Sequence, residues 1–230
     1  MDDRLASAVA ASAAWYAAIF KLHKVAFGQE AGLWAAQAPP PPLHSAVKTL
    51  RPGIDTDRVL AALRRAGTGG VADSFGDLPL DEANFTLLFE SSWIFRRAAT
   101  PSTRAPASTD QWTTVRTAAG LAAWTARHDT SDVLLPGVLD LPSMSILEHH
   151  DEAGAAMGAI AHRTGSVVSV SNVHATSGHR VDWRRLTDAV TALHPGYPIV
   201  GYERGPELEA AKDAGFDVVG PQRVWVPRLP

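Results

Sequence analysis

Hydrophobic and polar positions alternate in three short runs between residues 144 and 175, which predicts three β-strands. The runs cover residues 144–149, 156–163 and 167–175, and turn-forming residues separate them. Short strands joined by tight turns are typical of an antiparallel meander. The third run is rich in β-branched residues between polar loops, which favours a buried central strand.

From residue 182 onward the apolar spacing changes to three and four, which predicts an amphipathic helix. Asp182 is placed to cap this helix, which should end before Pro195. A strand at 199–202, a helix at 207–214 and a strand at 218–226 complete this part of the chain. The apolar face of the first helix carries Trp183, Leu186, Val190 and Leu193.

The N-terminal half has a mixed pattern of helices and strands. We predict helices over 5–27 and over 56–65 after an Asp55 cap, and strands over 32–36, 46–50 and 85–95. Residues 71–77 have a loop-like composition. A Ser/Thr/Pro/Ala-rich stretch predicts a linker over 99–110, which divides the chain into an N-terminal α/β segment, 1–98, and a C-terminal domain, 111–230.

Composition narrows the classes of protein that this chain can belong to. Its 230 residues are 46% hydrophobic with seven tryptophans, enough for a sizeable core. A net charge of −3 gives no basic field for nucleic acid. The chain has no cysteine, which excludes disulfides and thiolate chemistry. The N-terminus is acidic and its apolar run, 6–20, is short for a bilayer, so we expect a cytoplasmic protein without a membrane partner.

A meander followed by strand, helix, strand, helix and strand, with a Gly215-Phe216 junction after the last helix, resembles the GCN5-related N-acetyltransferase (GNAT) superfamily. The resemblance runs from about residue 111 to the end, with 112–116 and 118–127 as the first strand and helix. It implies an α/β (α+β) fold: a mixed, mostly antiparallel sheet flanked by helices, here with an N-terminal α/β extension. In this family the fourth strand, here 167–173, splays from the fifth, here 198–202.

Two family features are absent from this sequence. The family binds the coenzyme A pyrophosphate on a glycine-rich loop, through free backbone amides and a helix N-terminus. The corresponding arginine and two glycine positions are Gly178, Val181 and Trp183, and Asp182 competes for the amides. The tyrosine that many members use as general acid corresponds to Ala211.

The resemblance implies a cleft at the splayed strands, and residues of this chain can be assigned to it. The backbone at Val173 and Ala175 is expected to pair with the pantetheine arm. Gly178, Arg180 and Arg184, with Arg185 beside them, are the candidate phosphate contacts, although a solvated helix face also explains the arginines. A β-bulge at Ser171-Asn172 would free backbone groups for a ligand.

Several side chains are candidates for the proton transfer. Glu203 and Tyr202 end the fifth strand, where a glutamate can take a proton through water. Glu148 or His150 on the second strand are alternatives, and so is Glu90, if an apolar site beside Trp93 holds it unpaired instead of an ion pair with Arg96 or Arg97. We expect no metal site, since adjacent His149 and His150 on a strand point to opposite faces.

These observations predict a function and leave two alternatives. The first reading is an N-acyltransferase that moves an acetyl or other acyl group from acyl-coenzyme A, as co-substrate, to an amine of a small molecule. The second is a non-catalytic protein that binds a small molecule or coenzyme A on the same scaffold. The third is an oligomeric interaction module, for instance a homodimer, built on the tryptophan-rich N-terminal half.

Overall fold

The computed structural model describes residues 2–99, 112–150, 156–176 and 178–228. The chain forms two compact units. The first comprises the residues up to Trp93 together with those from Val219 onward, and the second is Ile94–Val218. Two strands, Phe85–Arg96 and Asp217–Pro227, therefore each contribute residues to both units.

In the described residues, the first unit consists of two helices and six strands. Its elements are α1 (Asp3–Leu22), β1 (Phe27–Glu30), β2 (Leu33–Ala36), β3 (Val47–Thr49), α2 (Thr56–Ala66), β4 (Val71–Asp73), β5 (Phe85–Arg96) and the later part of β11 (Asp217–Pro227). The strands follow the order β1-β2-β3-β4-β11-β5. Tryptophans, leucines and valines from strands and helices make the core, in which Trp34 and Phe20 are fully buried.

The structure corrects two predictions in this unit. The first helix ends at Leu22 instead of residue 27, because Lys24 has a left-handed backbone (φ 55°) and Phe27 pairs with Ala36 in β1. Residues 71–73, expected in a loop, form β4, which pairs in parallel with β3 and in antiparallel with β11. All three are completely buried, a state that their short, mixed sequence does not reveal.

Helix α1 is 20 residues long, and by length and composition alone it is long and apolar enough to cross a membrane. The apolar run at 6–20 is therefore shorter than the helix that contains it. One face of the helix is nevertheless buried in the fold, since Trp15, Ile19 and Phe20 are at most 9% exposed. Such burial is typical of the core helix of a globular unit.

The second unit contains the meander that the sequence predicts. Its strands follow the order β10-β9-β8-β7-β6, with β7–β8 and β8–β9 antiparallel. The elements are β6 (Thr113–Thr114), α3 (Ala118–Ala126), a 3₁₀ helix (Pro136–Asp140), β7 (Met144–His150), β8 (Ala156–Thr164), β9 (Val167–Ala175), α4 (Trp183–Leu193), β10 (Ile199–Glu203) and α5 (Gly205–Asp213).

The predicted elements of this unit agree closely with those observed. The Asp182 cap of α4 is confirmed, and the apolar face of α4 packs in a core with Val168, Ile199 and Phe216. The predicted first strand is shorter than expected, only Thr113–Thr114. Across the described residues, five α-helices accompany mostly antiparallel strands, which confirms the predicted α/β (α+β) class.

The predicted division at a 99–110 linker is not tested, because residues 100–111 lie outside the described part of the chain. The compact units follow a different division in one respect. Residues from Val219 onward group with the N-terminal residues, since Arg223–Trp225 of β11 pair with Val71–Asp73 of β4. Sequence composition reports linkers but not such long-range pairing.

Candidate functional site

Strands β9 and β10 run in parallel and then separate. Their register consists of Ile199 with Val168 and Val200 with Ser169, and β10 continues to Glu203 without a further partner on β9. Gly201 lies at the point of separation, where an added Cβ would come within 2.9 Å of the Val170 carbonyl oxygen. The pairing therefore ends at Val200 and Ser169, as the predicted splay requires, and the last three residues of β10 lie beyond it, at a gap in the β9–β10 ladder.

A β-bulge interrupts β9 opposite β8. Ile160 pairs with Ser171 whereas Gly158 pairs with His174, so a step of two residues on β8 corresponds to three on β9. Asn172 takes up the extra residue with a left-handed backbone (φ 52°). The bulge considered at Ser171-Asn172 is therefore present, and it removes neighbouring backbone groups from the regular ladder, where a ligand can use them.

Glu203 is the carboxylate that the strand separation places at the gap. It is the last residue of β10 and precedes the N-cap of α5. Burial, with a smaller contribution from the negative charge of Glu207, raises the pKa of Glu203 to about 8. A carboxyl group with such a pKa exchanges protons near neutral pH, as an acid–base catalyst must.

Glu207, in the first turn of α5, is held by two neighbours. Its Oε2 accepts a hydrogen bond from Trp183 Nε1 at 2.8 Å, and its Oε1 lies 3.9 Å from Arg180 Nε. The helix N-terminus also favours its negative charge. Glu207 therefore keeps a fixed negative charge near Glu203, and this charge opposes ionisation of the Glu203 carboxyl.

The N-terminus of α4 is occupied by its own cap. The Asp182 carboxylate accepts hydrogen bonds from the backbone N–H groups of Arg184 and Arg185, both at 3.1 Å. These are amides that a phosphate group would use at a helix N-terminus. Gly178, on the loop before the helix, is exposed with φ 85° and has open space around it.

The candidate phosphate contacts Arg180 and Arg184 do not converge. Arg180 donates to the Pro206 carbonyl at 2.9 Å, at the start of α5, and Arg184 donates to the Asp213 carbonyl at 2.8 Å, at its end. These two carbonyls are seven residues apart, roughly 10 Å along a helix. Arg184 connects α4 to α5, and Arg180 connects the loop before α4 to α5, so both charges have a structural use.

Glu148 lies away from Glu203. It is on β7, which β8 and β9 separate from β10, a distance of roughly 14 Å at the usual strand spacing. Its carboxylate pairs with Arg127, and its other oxygen lies 3.1 Å from His150 Nε2. Tyr202 is 40% exposed, and Val173 and Ala175 are half-buried. All three lie beyond the last β9–β10 pair.

Glu90 belongs to the first unit and is not an isolated carboxylate. It pairs with Arg223 at 2.7 Å on an exposed part of β5 and β11, so the ion-pair reading holds with a different arginine from the two considered. The hypothesis of a base beside Trp93 is therefore wrong. The partner was not foreseeable, because Arg223 is 133 residues away in sequence.

A buried histidine cluster in the second unit has no counterpart in the sequence predictions. His174 stacks on His128, with ring centroids 4.5 Å apart, and meets the edge of Trp124 at 4.6 Å. Its Nδ1 donates to the Asn172 carbonyl at 3.0 Å, and burial lowers its pKa to about 4. His174 thus braces the bulge as a neutral side chain. Among the described residues no group of three metal-ligating side chains converges.

Comparison with known proteins extends these observations to the fold. No protein-family model and no curated protein matches the sequence. Solved structures do match. A GCN5-related N-acetyltransferase from Kribbella flavida is similar over 96% of both chains, with a TM-score of 0.62 and 12% identity.

Two further solved structures share this similarity. One is a conserved protein of unknown function from Staphylococcus epidermidis, with a TM-score of 0.60 and 9% identity over 90% of this chain and 96% of the other. The other is described as an acetyltransferase of the GNAT family from Novosphingobium aromaticivorans, with a TM-score of 0.53 and 12% identity over 86% and 89%. The chain has the GNAT fold, as its meander, strand splay and Gly-Phe junction predicted.

Proposed function

We propose that this protein is an acyl-coenzyme A-dependent N-acyltransferase in which Glu203 is the general base. The observation that carries the proposal is the position of Glu203: a desolvated carboxyl at the end of β10, where β9 and β10 separate. Support also comes from the fold, which the chain shares with N-acetyltransferases. A carboxylate in this position can accept the proton that an attacking amine loses.

The proposed reaction is a direct attack of the acceptor amine on the thioester of the acyl donor. The amine nitrogen bonds to the thioester carbonyl carbon, the carbon–sulfur bond breaks, and the acyl group is transferred as an amide. Glu203 takes the amine proton, through a water, and the leaving thiolate acquires a proton. The buried Ala211 occupies the position of the family's acidic tyrosine, so this chain offers no phenol there for the second step. The thiolate then takes its proton from Glu203 or from solvent.

The backbone of β9 would hold the acyl donor. Beyond Ser169 the strand has no partner on β10, so amide and carbonyl groups near Val173 and Ala175 can pair with the amides of a pantetheine arm. This recognition uses no side chain, which is why it tolerates the divergent sequence. The proposal therefore rests on strand geometry for the donor and on Glu203 for the chemistry.

A second function is favoured by a specific observation. The Asp182 carboxylate occupies amides of the α4 N-terminus, and Arg180 and Arg184 are engaged at opposite ends of α5. A pyrophosphate would have to displace these contacts and approach a negative charge. The alternative is a non-catalytic protein that binds a small molecule without a diphosphate in the same gap.

Calorimetric titration with acetyl-coenzyme A and, separately, coenzyme A distinguishes the two functions. Saturable binding with a dissociation constant in the range of about 1 µM to 1 mM, where substrates of enzymes usually bind, supports the acyltransferase. Absence of binding at the upper end of this range removes it and leaves the binding protein. A screen of small amines for release of free thiol would follow a positive result.

Replacing Asp182 tests whether its carboxylate prevents a phosphate group from binding at the N-terminus of α4. Asp182→Asn keeps a capping side chain, because asparagine caps helices as well as aspartate, and removes the negative charge. If coenzyme A reaches this helix, we expect its affinity to rise about three- to tenfold with little change in Tm. Equal affinity in both proteins would show that the pyrophosphate binds elsewhere. Asp188→Asn, on the same helix, is the matched control.

Replacing Glu207 tests the electrostatic link to Glu203. Glu207→Gln retains an oxygen that accepts the Trp183 hydrogen bond and removes the charge that raises the Glu203 pKa. A base works only when deprotonated, so the rate should rise with pH through an inflection near 8 in the native protein. In Glu207→Gln this inflection should move to lower pH. A profile that falls with rising pH would assign Glu203 the role of an acid.

A further inference from the structure

One face of the sheet in the first unit carries buried polar side chains in neighbouring strands. Trp34 of β2 lies opposite Lys48 of β3, and Lys48 lies opposite Ala72 of β4. Ala72 in turn lies opposite Val224 of β11. Residues opposite one another in a sheet have their side chains on the same face, so all four share a face. Gln222 lies on the same face by alternation. Trp93 of β5 joins them, since Lys48 Nζ lies 5.0 Å from the centre of its ring.

Lys48 is the central group of this face. The whole residue is 0% exposed, and its ammonium has no hydrogen-bond partner among the described residues. Two aromatic rings flank it, Trp93 at 5.0 Å and Tyr16 of α1 at 5.3 Å. Aromatic faces compensate a buried cation only partly, and a buried charge normally has an ionic or hydrogen-bonded partner.

The carboxylate that acts on Lys48 electrostatically does not supply that partner. Asp73 pairs in register with Arg223, whereas Lys48 pairs with Ala72, so the Asp73 side chain lies on the opposite face. Its oxygens accept backbone N–H groups of the following turn, at 3.0 Å from Gly76 and 3.1 Å from Leu78. Lys48 is therefore a buried amino group without an ion-pair partner among the described residues.

Other polar atoms around Lys48 also lack partners. These are Trp34 Nε1, Ser74 Oγ, Ser91 Oγ and Gln222 Oε1, all in residues that are at most 5% exposed. Strand register and alternation place Trp34 and Gln222 on the face of Lys48, and Ser91 on the face of Trp93. Trp93 Nε1 also donates to the Ser74 carbonyl at 2.7 Å. Buried polar atoms are nearly always hydrogen-bonded, so several unsatisfied ones on one face indicate bound water or another bound group.

The hydrogen-bonding character of these atoms indicates which kind of ligand can bind to them. The ammonium, the indole N–H and the two hydroxyls can all donate, whereas Gln222 Oε1 alone is purely an acceptor, so the complement of the set is mainly an acceptor with negative charge. We propose that this face of the first unit is a binding site for a small carboxylate, held by Lys48 together with Trp34 and the hydroxyls of Ser74 and Ser91. The rings of Tyr16 and Trp93 form apolar walls, and the burial of Lys48, Trp34 and Trp93, each at most 1% exposed, restricts the ligand to a compact one.

Binding at this site should depend on pH through Lys48. Burial lowers the pKa of Lys48 to about 7, and a bound carboxylate would favour its charged form. Tyr16, whose pKa burial raises, and His44, whose pKa burial lowers to about 4, are neutral near pH 7, and Asp73 and the Glu90–Arg223 pair belong to the other face. Affinity should therefore fall by up to tenfold per pH unit above about 7.

Thermal unfolding of the full chain in sodium formate, sodium acetate and sodium chloride at equal ionic strength tests the proposal. Formate or acetate should raise Tm by about 3 °C or more at about tenfold its dissociation constant. Lys48→Met should abolish this rise, whereas Lys21→Met, which removes an exposed charge of the same unit, should retain it. A Ser91→Ala variant should bind about tenfold more weakly.

Three results would overturn the proposal. They are no rise in Tm up to about 100 mM carboxylate, an equal rise in chloride, and an equal rise in Lys48→Met. If Lys48→Met does not fold, two other measurements replace it: the carboxylate affinity of Ser91→Ala and the pH dependence of the affinity. The proposal is then wrong if the affinity does not change with pH and is the same in Ser91→Ala as in the native protein. All of these groups belong to the first unit, so the outcome is independent of Glu203 and of acyl transfer.

Discussion

Glu203→Gln is expected to reduce acyl transfer by about 10²–10⁴-fold, the usual contribution of a positioned general base. Glutamine has nearly the same shape but cannot accept the amine proton. The loss should be in kcat, because Glu203 acts on the proton and not on donor binding. It is measured as release of free coenzyme A thiol from acetyl-coenzyme A with an acceptor amine found by screening.

The stability of the same variant provides an independent readout. The raised pKa means that folding protonates Glu203, so the native protein loses stability as pH rises from the ordinary value of 4.5 to about 8. Glu203→Gln removes this dependence and should have an equal or higher Tm at pH 8. Glu209→Gln, at an exposed position of α5 that pairs with Lys212, is the control and should change neither property. Full kcat in Glu203→Gln would refute the assignment.

Gly158→Ala is expected to destabilise the protein by about 3 kcal/mol, at the upper end of the usual cost of overpacking. An added Cβ on Gly158 would overlap His174 Cε1 and come within 2.6 Å of Trp124 Nε1. Both rings are buried, and each is fixed by a hydrogen bond, His174 to Asn172 and Trp124 to the Leu147 carbonyl at 3.0 Å. Neither can move aside without losing that bond, so Tm should fall by roughly 6–12 °C.

Two further variants test whether the clash at Gly158 causes this loss of stability. Gly28→Ala, in a strand of the first unit, meets only Gln37 Nε2 at 3.6 Å, so its Tm should be unchanged or slightly higher. Combining Gly158→Ala with His174→Ala removes the principal clash and should cost less than the sum of the single changes. Strict additivity of the two, or a Tm for Gly158→Ala equal to the native value, would contradict the packing account.

The sequence predicted the second unit well because its signals are local. Alternation in β7, β8 and β9, the Asp182 cap of α4 and the Gly215 stop after α5 all act within a few residues. The fold class follows from that element order. Strand β4 was missed because its three residues become a strand only by pairing with β3 and β11, and pairing partners far along the chain leave no local signal.

The candidate site was predicted only in part, for a related reason. Glu203 and Tyr202 could be placed because they end a recognisable strand, and the Asn172 bulge follows from a polar pair inside a β-branched run. The ion pair of Glu148 with Arg127, the tie between Arg184 and Asp213, and the stacking of His174 on His128 depend on tertiary contacts. Residue type alone predicted ligand contacts for these side chains, whereas in the structure they contact other residues of the chain.

The passage of β11 into the first unit has a consequence for the order of folding during synthesis. Val71–Asp73 of β4 pair with Arg223–Trp225, so the N-terminal sheet lacks a central strand until β11 has been made. Most multidomain chains fold from the N-terminus as they emerge from the ribosome. Here β4 must wait for its partner, with the edge at Val71 and Ala72 unpaired, and a nascent chain stalled before residue 219 should depend on chaperones that bind exposed hydrophobic surface.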